Sequence, residues 1–325
     1  MPGTSVIFLA EGEHGHDADD DRADDERDPG DDSSPTEERV GFTVVTRYRL
    51  DERGRDIDVT GCGNTLDVRE PAVMRLVLDS LRHWVSEYHV DGFRFDLAVA
   101  LGRAPGDDFD PRAALLMAMQ ADPVLSQVTL IAEPWDIGPY GYQVGQWGAD
   151  WSEWNDHFRD HIRDFWRMAT CGVQGLATRL AGSEDLYSDP THSVNFITAH
   201  DGFTVRDLVS YNDKHNEDNG EDNRDGSNDN RSWNCGWEGE TTDDTIVDLR
   251  HRQVRNLMAT MLLAAGVPMI TAGDELDGSA GYRQRAGHVE TGVGERLREP
   301  VDPRPAEQPG ELLQAAHRQQ DAHRQ

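Results

Sequence analysis

The chain has 325 residues, and its 62 acidic against 31 basic side chains give it a formal net charge of −31 at pH 7. This balance disfavours nucleic acid and other polyanions as partners, because phosphate groups are bound by clustered basic side chains. Lys214 is the only lysine, and we interpret the composition as the carboxylate-rich surface of a halophilic protein, to which acidic unstructured segments would also contribute.

The first 40 residues are predicted to be mostly disordered. Residues 11–38 consist mainly of Asp and Glu with Gly, Pro and Ser, and they offer too few apolar side chains to bury. Residues 277–325 also lack a periodic apolar face, so we predict a second unstructured segment there. The residues between them, 41–276, are expected to form the folded domain.

Helices and strands are predicted to alternate through this central region. The first helix is expected over 71–88, because Pro71 suits the first turn of a helix and apolar residues follow at intervals of three and four. Similar spacing predicts three further helices, over 111–121, 154–168 and 248–265. Four strands are predicted where a short apolar run ends in polar residues, over 90–96, 128–133, 194–199 and 267–271. This alternation is typical of a (β/α) barrel.

Acidic residues stand at or just after the ends of these predicted strands. Asp96 closes the first strand, Glu133 closes the second, and Asp201 follows the third. In a (β/α) barrel the carboxyl ends of the strands surround the active site, so we expect these three carboxylates to converge in one pocket. Such a set suits glycoside hydrolysis, which requires a nucleophile and an acid/base.

The neighbours of these acids favour catalytic roles without proving them. Arg94 precedes Asp96 by two residues, so both side chains are expected on one side of the strand, where the guanidinium would keep the carboxylate ionised. The same pair could serve only to hold the strand in place. Glu133 follows five largely apolar residues, which favour a protonated carboxyl, although a surface acid is the plainer interpretation. His200 beside Asp201 could be a metal-ligand pair, but two ligands are weak support for a metal.

Aromatic residues crowd the region after Glu133, and their faces suit contact with sugar rings. We predict that Trp135 contacts substrate, whereas Trp154 equally suits the core beneath the next helix. The Asp- and Asn-rich loop at 211–240 does not match a calcium-binding EF-hand, because its first and last ligand positions hold Glu221 and Ser232. No metal site is therefore predicted.

Signals for membranes and secretion are not recognised. The chain contains no apolar run of 18 residues, and its N-terminus lacks the basic and apolar regions of a secretory signal. The cysteines, Cys62, Cys171 and Cys235, are odd in number and widely spaced, which favours free thiols over disulfides or a zinc site. We therefore expect a cytoplasmic protein.

Several motifs recur in an order that resembles the α-amylase superfamily of glycoside hydrolases, and within it the isoamylase and glycogen debranching branch. They are YRLD at 48–51, TGCGNTL at 60–66, VDGFRFD at 90–96, AEPWD at 132–136 and NRSWNCG at 230–236. The resemblance covers about residues 48–276. It implies an α/β fold, the (β/α)8 barrel of the α-amylase type, here incomplete and running from about the third or fourth strand to the eighth.

The resemblance implies retaining hydrolysis of α-1,6 branch linkages in glycogen or amylopectin-type α-glucans, with no organic cofactor. Asp96 would be the nucleophile, Glu133 the acid/base, and Asp201 the carboxylate that holds the sugar hydroxyls, with Arg94 and His200 at the same sugar. Two alternatives stay open: an α-1,4-acting amylase or transglycosylase with the same carboxylates, and a truncated non-catalytic remnant. Because the first barrel strands are not recognised, we expect the chain as written to be a poor enzyme.

Overall fold

Six parallel strands form the centre of the structure, a computed structural model that describes residues 7–8, 47–169 and 172–274. They are β1 Ile7–Phe8, β2 Gly92–Phe95, β3 Thr129–Ala132, β4 Ser152–Asn155, β5 Ser193–Phe196 and β6 Val267–Met269. Each strand pairs in parallel with the next strand along the chain. Parallel neighbours in chain order are the pattern of a (β/α)8 barrel, of which this sheet is an incomplete part.

Helices connect most of these strands. They are α1 Pro71–Tyr88, α2 Ala114–Ala121, α3 Asp156–Trp166, α4 Val173–Leu180, α5 Val205–Leu208 and α6 Asp244–Leu263, with short 3₁₀ turns at Ala98–Gly102, Leu125–Gln127, Pro190–His192 and Glu217–Asn219. Helix α1 has the predicted bounds. Pro71 occupies its first position, where no backbone donor is required, and Glu70 is its N-cap.

The two faces of the sheet have different surroundings. Side chains alternate between opposite faces along a strand. On the outer face, Phe93, Phe95 and Leu130 pack in one buried cluster with side chains of α1 and α2. On the inner face, Ile131 and Trp154 belong to a separate cluster. Polar residues that share the inner face therefore lie on the side of the sheet away from the helices.

One predicted helix begins too early, and two strands, β1 and β4, were not predicted. Residues 154–168 were expected to be helical, but Trp154 lies in β4 and α3 begins at Asp156. The pattern failed because β4 carries two polar residues on its outer face, Glu153 and Asn155, and both are buried. Asn155 also caps α3, since its side chain accepts a hydrogen bond from the N–H of Phe158 at 2.9 Å.

Smaller differences concern helix ends. The helix predicted over 111–121 begins at Ala114, and the helix predicted over 248–265 begins earlier, at Asp244. That earlier start follows from Asp243, whose side chain accepts hydrogen bonds from the N–H groups of Thr245 and Ile246. Helices α4 and α5 were not predicted.

Several predictions concern residues outside the described part of the chain. They are the disorder at 11–38 and 277–325 and the thiol of Cys171. Among the described residues, Cys62 is exposed and Cys235 is buried, and neither takes part in a disulfide. Within the described residues, no helix combines the length and the apolar character that crossing a membrane requires.

Candidate active site

Asp96 and Glu133 leave the sheet side by side. The register of β2 and β3 places Phe95 opposite Ala132, so the next residue of each strand falls at the same edge. The N–H of Glu133 continues this pairing by donating to the carbonyl oxygen of Phe95 at 3.0 Å. Both acids therefore stand at the carboxyl ends of adjacent parallel strands, where (β/α) barrels carry their active sites.

Arg94 joins these two carboxyl groups. Its Nη1 donates to Asp96 Oδ1, and its Nη2 lies 3.1 Å from Glu133 Oε1. On the inner face of the sheet, the guanidinium carbon lies 4.2 Å from the centre of the Trp154 ring, a cation–π contact. Arg94 is only 5% exposed. The guanidinium is thus held by one ring and two acids, and it keeps those acids next to each other.

Glu133 has the surroundings of a proton donor. Burial raises the pKa of its carboxyl to about 8. The charge of Arg94 and the N–H of Leu97, which donates to Glu133 Oε2 at 2.7 Å, act in the opposite direction but do not cancel the effect of burial. Asp96 lies within hydrogen-bonding reach and raises the pKa further. Glu133 is therefore mostly protonated at neutral pH.

The pair has the chemistry that a retaining glycosidase requires. One carboxyl, that of Glu133, is buried, and its raised pKa favours the protonated form. The other, that of Asp96, is 31% exposed and in contact with a cation. Retaining enzymes hold the two groups ~5–5.5 Å apart and inverting enzymes ~6.5–9.5 Å apart. Acids that reach each other and share one guanidinium, as Asp96 and Glu133 do, fit the shorter separation.

His200 and Asp201 stand at the same edge of the sheet, after β5. The Nε2 of His200 lies 3.5 Å from Asp201 Oδ2, and its ring packs 5.7 Å from that of Trp154, the ring that also supports Arg94. The Asp201 side chain is 74% exposed. Among the described residues it makes no hydrogen bond or ion pair with Asp96 or Glu133, so its convergence with them stays a prediction.

Two residues that the sequence did not single out hold the segment around His200 and Asp201. Asp274 is buried and accepts from the hydroxyl of Thr198 and, at 3.2 Å, from the N–H of Val205. Arg163 of α3 donates to the carbonyl oxygen of Ile197 at 2.9 Å. The signal for Asp274 was its place shortly after the last predicted strand, which ends at residue 271. Arg163 gave no signal, because a charged residue on an amphipathic helix usually faces water.

The tryptophans after Glu133 separate into two groups. Trp147 and Trp151 are each 1% exposed and pack in the outer core. Trp135 is half-buried and stacks on Tyr142, with ring centres 6.4 Å apart and planes 9° apart. Trp154 is buried on the inner face under Arg94. Trp135 is therefore the member of this group best placed to meet a ligand near Glu133.

No group of three or more His, Cys, Asp or Glu side chains in the described ranges is arranged to hold a metal ion. The loop considered for calcium is instead tied together by its own polar groups. The Nζ of Lys214 donates to the carbonyl oxygens of Asp225 and Gly226, at 2.9 and 3.1 Å. The carbonyl oxygens of Asp225 and Gly226 therefore already accept hydrogen bonds from the ammonium group of Lys214.

Known proteins resemble this chain over most of its described length. It is 52% identical over 248 residues to the glycogen operon protein GlgX homolog of Mycobacterium bovis, a match covering 74% of this chain and 34% of that protein. It is 50% identical over 249 residues to the glycogen debranching enzyme of Serratia proteamaculans, covering 75% and 37%. The chain therefore spans about a third of the length of the curated relatives it matches. No protein-family model matches it.

Solved structures agree with this comparison. The pullulanase of Bacillus acidopullulyticus matches 74% of this chain and 28% of its own, with a TM-score of 0.54 and 26% identity. The type I pullulanase of Bacillus subtilis, solved with maltose, matches 70% of this chain and 30% of its own, with a TM-score of 0.51 and 25% identity. Their shared fold is consistent with the incomplete barrel described above.

Proposed function

We propose that this chain carries the catalytic site of an α-1,6-glucan debranching hydrolase. The premise is that it belongs to the isoamylase and glycogen debranching branch of the α-amylase superfamily. Its substrate would be a branched α-glucan such as glycogen. The relatives favour this enzyme over a non-catalytic remnant. The observation that carries the proposal is the Asp96–Arg94–Glu133 arrangement, in which a buried acid with a raised pKa adjoins a second carboxyl group at adjacent strand ends.

The reaction follows from the difference between the two acids. Glu133 donates its proton to the glycosidic oxygen of the branch point while Asp96 attacks the anomeric carbon, which forms a glycosyl ester and releases the main chain. Glu133, now ionised, then removes a proton from water, and this water displaces Asp96. Two inversions at the anomeric carbon leave the product in the α configuration.

The remaining predicted residues would bind the sugar that is attacked. Asp201 and His200 have exposed polar atoms that can accept and donate hydrogen bonds to sugar hydroxyls. Trp135 would cover the sugar on the leaving-group side, because it follows Glu133 by two residues. Arg94 would orient both acids rather than contact the scissile bond, since it lies beneath them and is buried.

Product analysis tests this proposal. Release of reducing ends would be measured on pullulan, glycogen and linear amylose, with this chain and with a version extended by the segments that its relatives possess in addition. Debranching predicts attack on pullulan and glycogen and little on amylose. Preferential attack on amylose would instead support the α-1,4-acting alternative, and an initial product in the β configuration would exclude the retaining mechanism.

The nucleophile can be identified directly. A fluorinated glucosyl fluoride, which slows the second step more than the first, should leave a glucosyl ester on Asp96 that peptide mass spectrometry detects. Asp96→Asn should abolish labelling, whereas Asp79→Asn, an exposed acid on α1, should leave it unchanged. Labelling of another carboxylate would show that the assignment of Asp96 is wrong.

A further inference from the structure

Arg103 and Asp136 form a buried ion pair that the reaction described above does not use. Their side chains are 1% and 0% exposed. The Nε of Arg103 donates to Asp136 Oδ2 at 2.7 Å, and its Nη2 donates to Asp136 Oδ1 at 2.5 Å. A two-point contact between planar groups fixes their relative orientation as well as their distance.

The ion pair joins the two segments on which the candidate catalytic acids stand. Arg103 directly follows the 3₁₀ turn Ala98–Gly102, which begins two residues after Asp96. Asp136 follows Glu133 by three residues. The segment after the nucleophile and the segment after the acid/base are therefore connected to each other a short way beyond the acids.

Arg103 also binds the backbone of both loops. Its Nη1 donates to the carbonyl oxygen of Asp107, and its Nη2 donates to the carbonyl oxygen of Pro139 at 3.1 Å. Asp136 Oδ1 in turn accepts from the N–H of Gly138 at 2.9 Å. Each of the three guanidinium nitrogens thus has an acceptor, and the acceptors lie on both loops.

Two glycines allow the loop after Glu133 to pack closely against the ion pair. A Cβ atom at Gly138 would lie 2.6 Å from Arg103 Nη2, and one at Gly141 would lie closer still to Asp136 Oδ1. Because Cβ atoms essentially never approach other atoms within 3.0 Å, a larger residue at either position would push this loop away from the pair.

The strands alone do not determine where the two acids stand. Phe95 and Ala132 are the last residues that the register of β2 and β3 pairs, and Asp96 and Glu133 come directly after them. The segments beyond the acids therefore help to set the distance between the two carboxyl groups. A displacement of ~1 Å at a reacting group can cost ~10²-fold in rate.

We propose that Arg103 and Asp136 are positioning residues that hold Glu133 at the distance from Asp96 that retaining hydrolysis requires. The inference rests on the function proposed above and extends it, since the pair acts through the segments that carry the acids. A positioning role predicts a loss of activity at unchanged stability, which a purely structural role does not.

The double variant Arg103→Met with Asp136→Asn, made in the extended enzyme, tests the proposal. It removes both charges together, so neither is left buried without its counter-charge, and the asparagine keeps an acceptor for the N–H of Gly138. We expect kcat/KM on pullulan to fall by ~10²-fold or more, whereas the midpoint of urea unfolding should stay close to that of the control described next.

The matched control is Arg82→Met with Asp122→Asn. In this pair too the arginine Nε donates to Oδ2 at 2.7 Å, and Oδ1 accepts from the N–H two residues ahead, that of Val124, at 2.9 Å. Asp122, however, precedes β3, whereas Glu133 follows it, so this pair lies towards the other end of the strand. The control should keep kcat/KM within about twofold of the wild type, as expected for a pair that acts on no reacting group.

A substrate that needs no proton donor separates positioning from general damage. α-Maltosyl fluoride releases its fluoride without protonation, so its kcat/KM depends on attack by Asp96 and not on proton donation by Glu133. The Arg103→Met, Asp136→Asn variant should therefore lose at least ~10-fold less activity on the fluoride than on pullulan.

Equal losses on the two substrates, or activity on pullulan equal to that of the control, would overturn the positioning role and leave the debranching function standing. A wild-type extended enzyme that does not attack pullulan would overturn the debranching function and this inference with it.

Discussion

Two buried glutamates on neighbouring strands show what distinguishes a reactive acid from a structural one. Glu133 is 5% exposed and Glu153 is 2% exposed. Burial is the main cause of a raised pKa in both, to about 8 for Glu133 and about 7 for Glu153. A buried carboxyl with a shifted pKa is therefore not by itself a sign of catalysis in this protein.

The partners of the two acids differ. Glu133 adjoins Arg94 and Asp96 on the inner face at a strand end. Glu153 points to the outer face within β4, where it accepts hydrogen bonds from the N–H groups of Gly145 and Trp147, at 2.6 and 3.3 Å. The first acid has a second carboxylate to work with, and the second fastens a loop to the sheet. Position and partners, rather than burial, separate the two roles.

The largest expected difference is in activity. Glu133→Gln should lower kcat/KM on pullulan by at least ~10³-fold, because the leaving group loses its proton donor. Glu153→Gln should change it by less than about threefold, since that acid only holds a loop. Both variants would be assayed in the extended enzyme, with circular dichroism as a check on folding. Equal losses in the two variants would remove the distinction.

The next effect concerns stability against pH. The folded pKa of Glu153, about 7, lies above its ordinary value of 4.5. The contribution of this carboxyl to the free energy of unfolding is therefore fully present below about pH 4.5, and it is lost as the pH rises through 7. The wild type should therefore lose up to about 3 kcal/mol relative to Glu153→Gln between pH 4.5 and 8. Urea unfolding at several pH values measures this. A pH-independent difference between the two proteins would contradict the assignment.

A smaller effect is expected beneath the acid pair. Trp154→Leu removes the ring under Arg94, and loss of a cation–π contact of ~0.5–2 kcal/mol should lower kcat/KM by about 2- to 30-fold. Trp154→Phe keeps a ring in place and should lose less. If the leucine variant matches the wild type, Arg94 is held by its two carboxylates alone.

The smallest effect is on the titration of Glu133 itself. Asp96→Asn removes a neighbouring negative charge and should therefore lower the pKa of Glu133 below about 8. The change should be small, because burial contributes more to the raised pKa than Asp96 does. Carboxyl resonances followed by NMR in the inactive Asp96→Asn chain would report it, with Glu153 as the internal reference. An upward shift would contradict the proposed contact between the two acids.

The sequence by itself determined the bounds of α1 and the existence of β2, β3, β5 and β6. These elements obey local rules: Pro71 begins a helix with regular apolar spacing, and buried parallel strands are short apolar runs. The placing of Asp96 and Glu133 at one edge followed as well, because parallel neighbours bring their carboxyl ends together. The motifs around them were enough to indicate the family.

Only the tertiary structure decided where polar residues could be buried. Strand β4 was missed because Glu153 and Asn155 interrupt its apolar pattern, and their cost of burial is offset by hydrogen bonds from distant segments, such as those that Asn155 makes to Ser183 and Ser193. The same holds for Arg163, which is buried against the carbonyl oxygen of Ile197. Such partners lie up to about forty residues apart along the chain, so no local pattern reveals them.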